Sequence, residues 1–160
     1  MINAEFCSYL KVDSGFLFLK ANSNSILSIS FVDKMTESIL ENDVILKAKN
    51  QLYEYFDGNR IEFDVPLQLV GTDFQKKVWN LLMKIPFGKT ISYLDLAKML
   101  GDPNATRAVA AANGKNLIAI IIPCHRVIGS DGSLTGYAGV LGYKHMLLSV
   151  ESKIQSPSLF

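Results

Sequence analysis

Apolar positions in the first 65 residues form β-rich runs around one broken helical stretch, whereas those beyond residue 71 fall mainly at helical spacing. Phe16-Leu17-Phe18-Leu19 and Ile26-Leu27-Ser28-Ile29-Ser30-Phe31 flank Asn22-Ser23-Asn24-Ser25, a turn-like run, and predict a hairpin. From Thr36 to Phe56, apolar residues at Ile39, Leu40, Ile45, Leu46, Leu52, Tyr53 and Phe56 give a broken helical period ended by Asp57-Gly58. Ile61-Glu62-Phe63-Asp64-Val65 alternates like another strand. Residues 1–65 therefore read as a small N-terminal α/β subdomain of strands with one or two helices, followed by a linker at 66–71.

Residues 72–160 read as a second, mainly helical domain. Thr72-Asp73-Phe74-Gln75 fits a capping box, and Phe74, Val78, Leu81 and Leu82 lie on one helix face that ends at Ile85-Pro86-Phe87-Gly88. Ser92 caps a segment closed by Gly101, and Pro103-Asn104 opens a segment from Ala105 to Asn113 closed by Gly114. Two short helices joined by Gly-Asp-Pro-Asn suggest a helix-turn-helix. An apolar strand, Leu117 to Pro123, follows, then a Gly-rich loop from Gly129 to Gly142 and a last helix over Tyr143 to Lys153.

The bulk properties narrow the function. The chain is 49% hydrophobic and 19% charged, ordinary for a folded globular protein. No apolar run approaches bilayer length, and Met1-Ile2-Asn3-Ala4-Glu5 has no basic cluster leading into an apolar region. An unsecreted protein follows, cytoplasmic or, in a eukaryote, nuclear. With only two cysteines, far apart in sequence, and two histidines, a four-ligand structural zinc site is hard to build, so neither metal nor organic cofactor is expected. Net charge is +1, but residues 1–70 carry 6 basic and 10 acidic side chains while residues 71–160 carry 10 and 5. The charge that meets a phosphate backbone is thus concentrated in the second part.

Ile122-Pro123-Cys124-His125-Arg126-Val127 is the sharpest chemical feature. A thiol attacks only as thiolate, so a working cysteine needs a nearby base or positive field. His125 and Arg126 offer both, and Pro123 stops strand pairing just before the sulfur. From this pair alone, a buried structural thiol is the commoner outcome. The segment Asn104-Ala105-Thr106-Arg107-Ala108-Val109-Ala110-Ala111-Ala112-Asn113 displays small residues and one arginine, suited to pressing into a narrow groove or equally to core packing. Tyr93 offers a hydroxyl or a packed ring, and Glu151 a carboxylate that orients an imidazole or faces solvent. His145 and Cys7 show no partner spacing.

Taken together these segments resemble the O6-alkylguanine-DNA alkyltransferase family. Its signature stands here as Pro123-Cys124-His125-Arg126-Val127, flanked by Phe87-Gly88-Lys89-Thr90-Ile91-Ser92-Tyr93, Thr106-Arg107-Ala108-Val109, Asn116, Gly136-Tyr137-Ala138-Gly139, and Lys144 through Glu151. The resemblance implies single-turnover repair of O6-alkylguanine, or O4-alkylthymine, in double-stranded DNA by a monomer needing no obligate protein partner. It implies Cys124 as alkyl acceptor, His125 with Glu151 as the proton relay through a water, Asn116 as a brace and Tyr93 as a proton donor. Arg107 would replace the flipped nucleotide, with Thr106, Ala108, Ala111, Asn113 and Arg126 at the DNA. Tyr137, Ala138, Gly139, Val127 and Pro123 would line the pocket. Val140, where many relatives carry glycine, adds bulk that disfavours alkyl groups larger than methyl. Three rivals make different predictions: a lesion-binding module with a disabled thiol, a cysteine hydrolase that turns over, and a sequence-reading helix-turn-helix regulator indifferent to damage.

Overall fold

The structure, a computed structural model, describes residues 5–13, 15–133 and 141–155, which fall into two compact units. The first comprises the chain up to Val70 together with Leu117–Ala119; the second comprises Gly71–Asn116 and the chain from Ile120 onward.

In the first unit β1 (Phe6–Val12), β2 (Gly15–Ala21) and β3 (Ile26–Val32) form an antiparallel meander. The expected hairpin is β2–β3, and its turn is tied by Asn22 Oδ1, which accepts from the amides of Asn24 and Ser25 at 2.9 and 2.8 Å. Register sets Leu19 opposite Ile29, both buried. β1 escapes the sequence reading because Ser8 and Lys11 interrupt its apolar pattern.

α1 (Asp43–Phe56) starts later than the pattern from Thr36 suggests. Asn42 supplies the cap, accepting from the Ile45 amide at 3.0 Å. The preceding residues are held otherwise: Tyr9 Oη accepts from the amides of Thr36 and Glu37, and Leu40 pairs with Cys7. Ile61–Val65 is not a strand. Its backbone serves α1 instead, Gln51 accepting from the Asp64 amide at 3.1 Å while Phe63 lies against Tyr55. Residues 66–68, read as linker, run beside β3, where Ile26 donates to Pro66 O and Gln68 donates to Ile26 O. Ile118 also pairs with Ile29 of β3.

The second unit is built on α2 (Asp73–Leu82), α3 (Tyr93–Leu100) and α4 (Thr106–Gly114), which pack on one another. Thr72 and Gln75 make both bonds of the capping box on α2. The buried face is Val78, Trp79 and Leu82, with Phe74 left exposed; the indole of Trp79 donates to Ala112 O of α4 at 2.9 Å. Burying each such side chain contributes roughly 1.5–3 kcal/mol. A second capping box, Ser92 with Asp95, opens α3, and Gly101 closes it at φ 94°, a conformation that favours glycine.

The expected strand from Leu117 to Pro123 is not formed: only Ile118 bridges, and Ile120 turns the chain at φ 73°. A β-branched residue in that region ends any regular ladder. The chain then enters a single 3-10 turn, Cys124–Arg126, followed by β5 (Val127–Ile128). β5 pairs in parallel with β4 (Ile91–Ser92), Ile91 opposite Val127 and Ser92 opposite Ile128. This short ladder fixes Tyr93, the first residue of α3, near the cysteine turn. α5 (Leu141–Gln155) closes the described chain and turns Tyr143, Lys144, Leu147 and Glu151 inward. Among the described residues no helix is long and apolar enough to cross a membrane.

Candidate active site

Cys124 opens its 3-10 turn and is 4% exposed. Asn116 clasps the turn from one side, its Nδ2 donating to Ile122 O at 2.8 Å and lying 3.1 Å from the sulfur. Asn113 holds it from another, donating to Cys124 O at 3.4 Å. Burial pushes the thiol up to about 11, against the opposing pull of the Asn116 hydrogen bond, the Lys144 charge and nearby amides. At neutral pH the sulfur therefore rests as a thiol, and reaction requires a base.

The next residue in the turn carries an imidazole. His125 is fully buried, and its Nε2 lies 2.6 Å from Glu151 Oε2. Arg126 donates to the same carboxylate from Nε at 2.9 Å and from Nη2 at 3.0 Å, and the Gly88 amide donates at 3.1 Å. Burial alone raises a carboxylic acid, but the hydrogen bonds from His125 and Arg126, with their charges, hold Glu151 down to about 2. The imidazole is pushed below its ordinary value by burial, which outweighs the Glu151 contacts. A neutral ring beside an ionised carboxylate must place its proton on Nε2, leaving Nδ1 as the basic nitrogen. Nδ1 is buried and has no hydrogen-bond partner among the described residues.

Lys144, also fully buried, donates to Val127 O at 2.7 Å and sits 5.9 Å from the Tyr93 ring centroid. Its charge favours thiolate at Cys124. The Tyr93 hydroxyl is raised by burial and by the cysteine, and a hydrogen bond from Asn113 partly offsets this.

The structure thus brings together Cys124, His125, Glu151, Asn116 and Tyr93. It separates the residues expected at DNA. Arg107, Ala108 and Ala111 lie exposed along one face of α4, with Thr106 beside them bonding Pro103 O. Asn113 lies on the opposite, buried face, and its amide serves the cysteine turn. Arg126 is 6% exposed and committed to Glu151 and to Ile85 O at 2.7 Å, so its guanidinium braces the site from within. Pro123 and Val127 are buried in the turn, while Tyr137, Ala138, Gly139 and Val140 lie outside the described residues. Lys144 went unassigned in the sequence, although its place on the inward stripe of α5 with Leu147 and Glu151 is a readable signal.

Comparison with known proteins decides the family. Residues 73–153 match the DNA-binding domain of 6-O-methylguanine DNA methyltransferase, and residues 6–69 match the ribonuclease-like domain of the same family. The chain belongs to the 6-O-methylguanine DNA methyltransferase family. A methylated-DNA–protein-cysteine methyltransferase of Mycolicibacterium paratuberculosis is 44% identical over 158 residues, 94% of this chain and 96% of its own. That of Mycobacterium leprae is 42% identical over 150 residues, 91% of each. The crystal structure of the Mycobacterium tuberculosis O6-methylguanine methyltransferase superposes with a TM-score of 0.85 at 40% identity, covering 96% of both chains. The Mycobacterium tuberculosis protein solved in complex with DNA gives 0.83 at 41% identity over 91% of this chain and 92% of that one. This methyltransferase is accordingly a DNA-repair enzyme that acts by alkyl transfer.

Proposed function

We propose that this alkyltransferase removes the alkyl group of an O6-alkylguanine turned out of duplex DNA and keeps it on Cys124. The observation that carries this reading is the buried file of Glu151, His125 and Cys124, in which a protonated thiol sits one residue from a neutral imidazole whose free nitrogen is basic. In the proposed reaction the thiol proton passes through a water to His125 Nδ1. The Sγ–C bond forms as the C–O6 bond breaks, and that electron pair returns to the purine. Tyr93 gives its hydroxyl proton to a purine ring nitrogen, and the phenolate is restored by the imidazolium proton through solvent. The products are a thioether and an intact guanine. A thioether has no easy return to thiol, so each molecule acts once.

Reaching the sulfur requires the nucleotide to leave the stack, which costs a few kcal/mol. The exposed face of α4 suits that task. Ala108 and Ala111 permit close approach to the minor groove, Thr106 stands at its edge, and Arg107 is long enough to take the vacated place. Tyr137, Ala138 and Gly139, with Pro123 and Val127, are proposed to line the base pocket.

Incubating excess protein with a duplex carrying one O6-methylguanine tests the reading. Loss of the lesion with a gain of one methyl on the protein is expected; tight binding without that gain indicates a recognition module, and repeated turnover a hydrolase. Arg107→Ala is expected to slow repair of duplex roughly 10²-fold while slowing reaction with free O6-methylguanine less than about threefold. Equal losses on both substrates would remove Arg107 from extrusion. The relay also fixes the pH dependence. Because His125 titrates below 6.5, the single-turnover rate should be level from about pH 7 to 9 and fall in acid. A rate that climbs about tenfold per pH unit toward 11 would show direct ionisation of the thiol without the imidazole.

A further inference from the structure

Arg126 follows the imidazole directly in sequence, and its side-chain donors go to the carboxylate behind that ring. Nε and Nη2 reach the two oxygens of Glu151 at 2.9 and 3.0 Å, and Nη1 reaches Ile85 O at 2.7 Å. The guanidinium also lies 5.7 Å from the ring centroid of Phe87, and the Gly88 amide donates to the same carboxylate. Residues 85–88 therefore bracket the fork and hold its plane on the carboxylate. Nη2 of Arg126 and Nε2 of His125 converge on a single atom, Glu151 Oε2. A buried carboxylate facing an imidazole with no other cation favours the imidazolium, whose Nδ1 cannot accept a proton. A guanidinium keeps its charge throughout the working pH range, so here the carboxylate is balanced before the imidazole is asked to be.

We propose that Arg126 is a positioning residue that cancels the charge of Glu151, so that the carboxylate sets the tautomer of His125 without protonating it. The inference rests on the alkyl-transfer reading, in which Nδ1 takes the thiol proton. Without Arg126 the Glu151–His125 pair carries an unbalanced buried negative charge and takes up a proton near neutral pH. The imidazole is the more basic member, so that proton goes to Nδ1 and blocks the relay. The other groups around the ring do not replace the guanidinium. α5 contributes Lys144 besides Glu151, but its ammonium is bonded to Val127 O. The turn itself contributes Cys124 and α3 contributes Tyr93, while Val78, Trp79 and Leu82 on the buried face of α2 do not titrate. Burial is the largest influence depressing the imidazole; Glu151 opposes it, and Arg126 and then Lys144 act with it.

The test reads the acid limb of single-turnover transfer from methylated duplex, using the full chain. Arg126→Gln is expected to slow transfer about tenfold at pH 7 but less than about threefold at pH 9, where the extra proton is shed. A merely structural loss would slow both alike. Arg126→Lys keeps the charge and should restore a profile level between about pH 7 and 9. Arg126→Gln combined with Glu151→Gln removes both charges, and its acid limb should stay below about pH 7 whatever its absolute rate. Nitrogen-15 histidine spectra, with His145→Gln assigning the other ring, read the proton directly. At about pH 7 they should show His125 neutral in the parent, with its proton on Nε2, and protonated in Arg126→Gln. Thermal melting identifies a variant that does not fold, and if Arg126→Gln is one, the parent, lysine and double variants carry the test. A protonated His125 in the parent, equal losses in Arg126→Gln at both pH values, or a double variant whose limb lies above about pH 7 would overturn the proposal. Absence of methyl transfer by the parent would instead strike the alkyl-transfer reading, and the spectra would still judge Arg126.

Discussion

Cys124→Ser is expected to leave no measurable alkyl transfer, a loss of at least about 10⁴-fold, while affinity for damaged duplex changes less than about threefold. The turn that presents residue 124 is held by contacts that do not need sulfur. Asn116 bonds Ile122 O, Asn113 bonds Cys124 O, and the Arg126 amide donates to Pro123 O at 3.0 Å. A serine hydroxyl also accepts the Asn116 amide in place of the sulfur. Binding and melting temperature should therefore survive. Chemistry should not, because an imidazole that can relieve a thiol near 11 of its proton cannot do so for a far weaker acid. Transfer rates and affinities measured on one preparation check this. A serine variant retaining more than about 1% of the rate would place the acceptor elsewhere.

Glu151→Gln should be the most damaging change away from the sulfur. The carboxylate is 1% exposed and receives donors from His125, Arg126 and Gly88. Glutamine keeps the shape but removes the charge, leaving the Arg126 guanidinium buried without its counterion. Breaking such a pair on one side costs roughly 3–5 kcal/mol, a fall in Tm of roughly 6–15 °C. His125 also loses the partner that sets its tautomer, so transfer should fall about 10²-fold or more even where the variant is folded. The pH dependence carries a second signature. With a folded pKa near 2 and an ordinary value of 4.5, Glu151 contributes stability that is complete above about pH 4.5 and fades as pH falls toward 2. His125, depressed below 6.5, adds a separate acid weakness: the unfolded chain binds its proton more readily, so stability declines as pH drops below 6.5. The glutamine variant should lose the first dependence. Melting curves between pH 3 and 7 distinguish the two, and an unchanged acid limb would show that Glu151 is not the ionised hub.

Much of this site was legible in the sequence because its parts announce themselves locally. Thr72 with Gln75, Ser92 ahead of α3 and Gly101 after it are capping signals whose chemistry is complete within four residues. Cys124 and His125 are adjacent, and Glu151 could be paired with them through family resemblance. Direction was harder. The family resemblance put Arg126 and Asn113 at the DNA, yet both turn inward and stiffen the turn. On α4 the inward stripe Val109, Ala112 and Asn113 has helical spacing, but a polar residue ending a stripe of small ones gives no sign of which side it serves. Periodicity also failed where tertiary partners override it. Ile61–Val65 alternates like a strand but packs along α1, and the apolar run before Cys124 is broken by the positive φ of Ile120.

The most direct measurement uses limiting protein and an excess of duplex labelled in the O6-methyl group. Repair should stop at one methyl per protein molecule, and peptide mapping should find all of the label on Cys124. More than one lesion repaired per molecule, or label on any other side chain, would contradict a sulfur acceptor consumed by its own reaction.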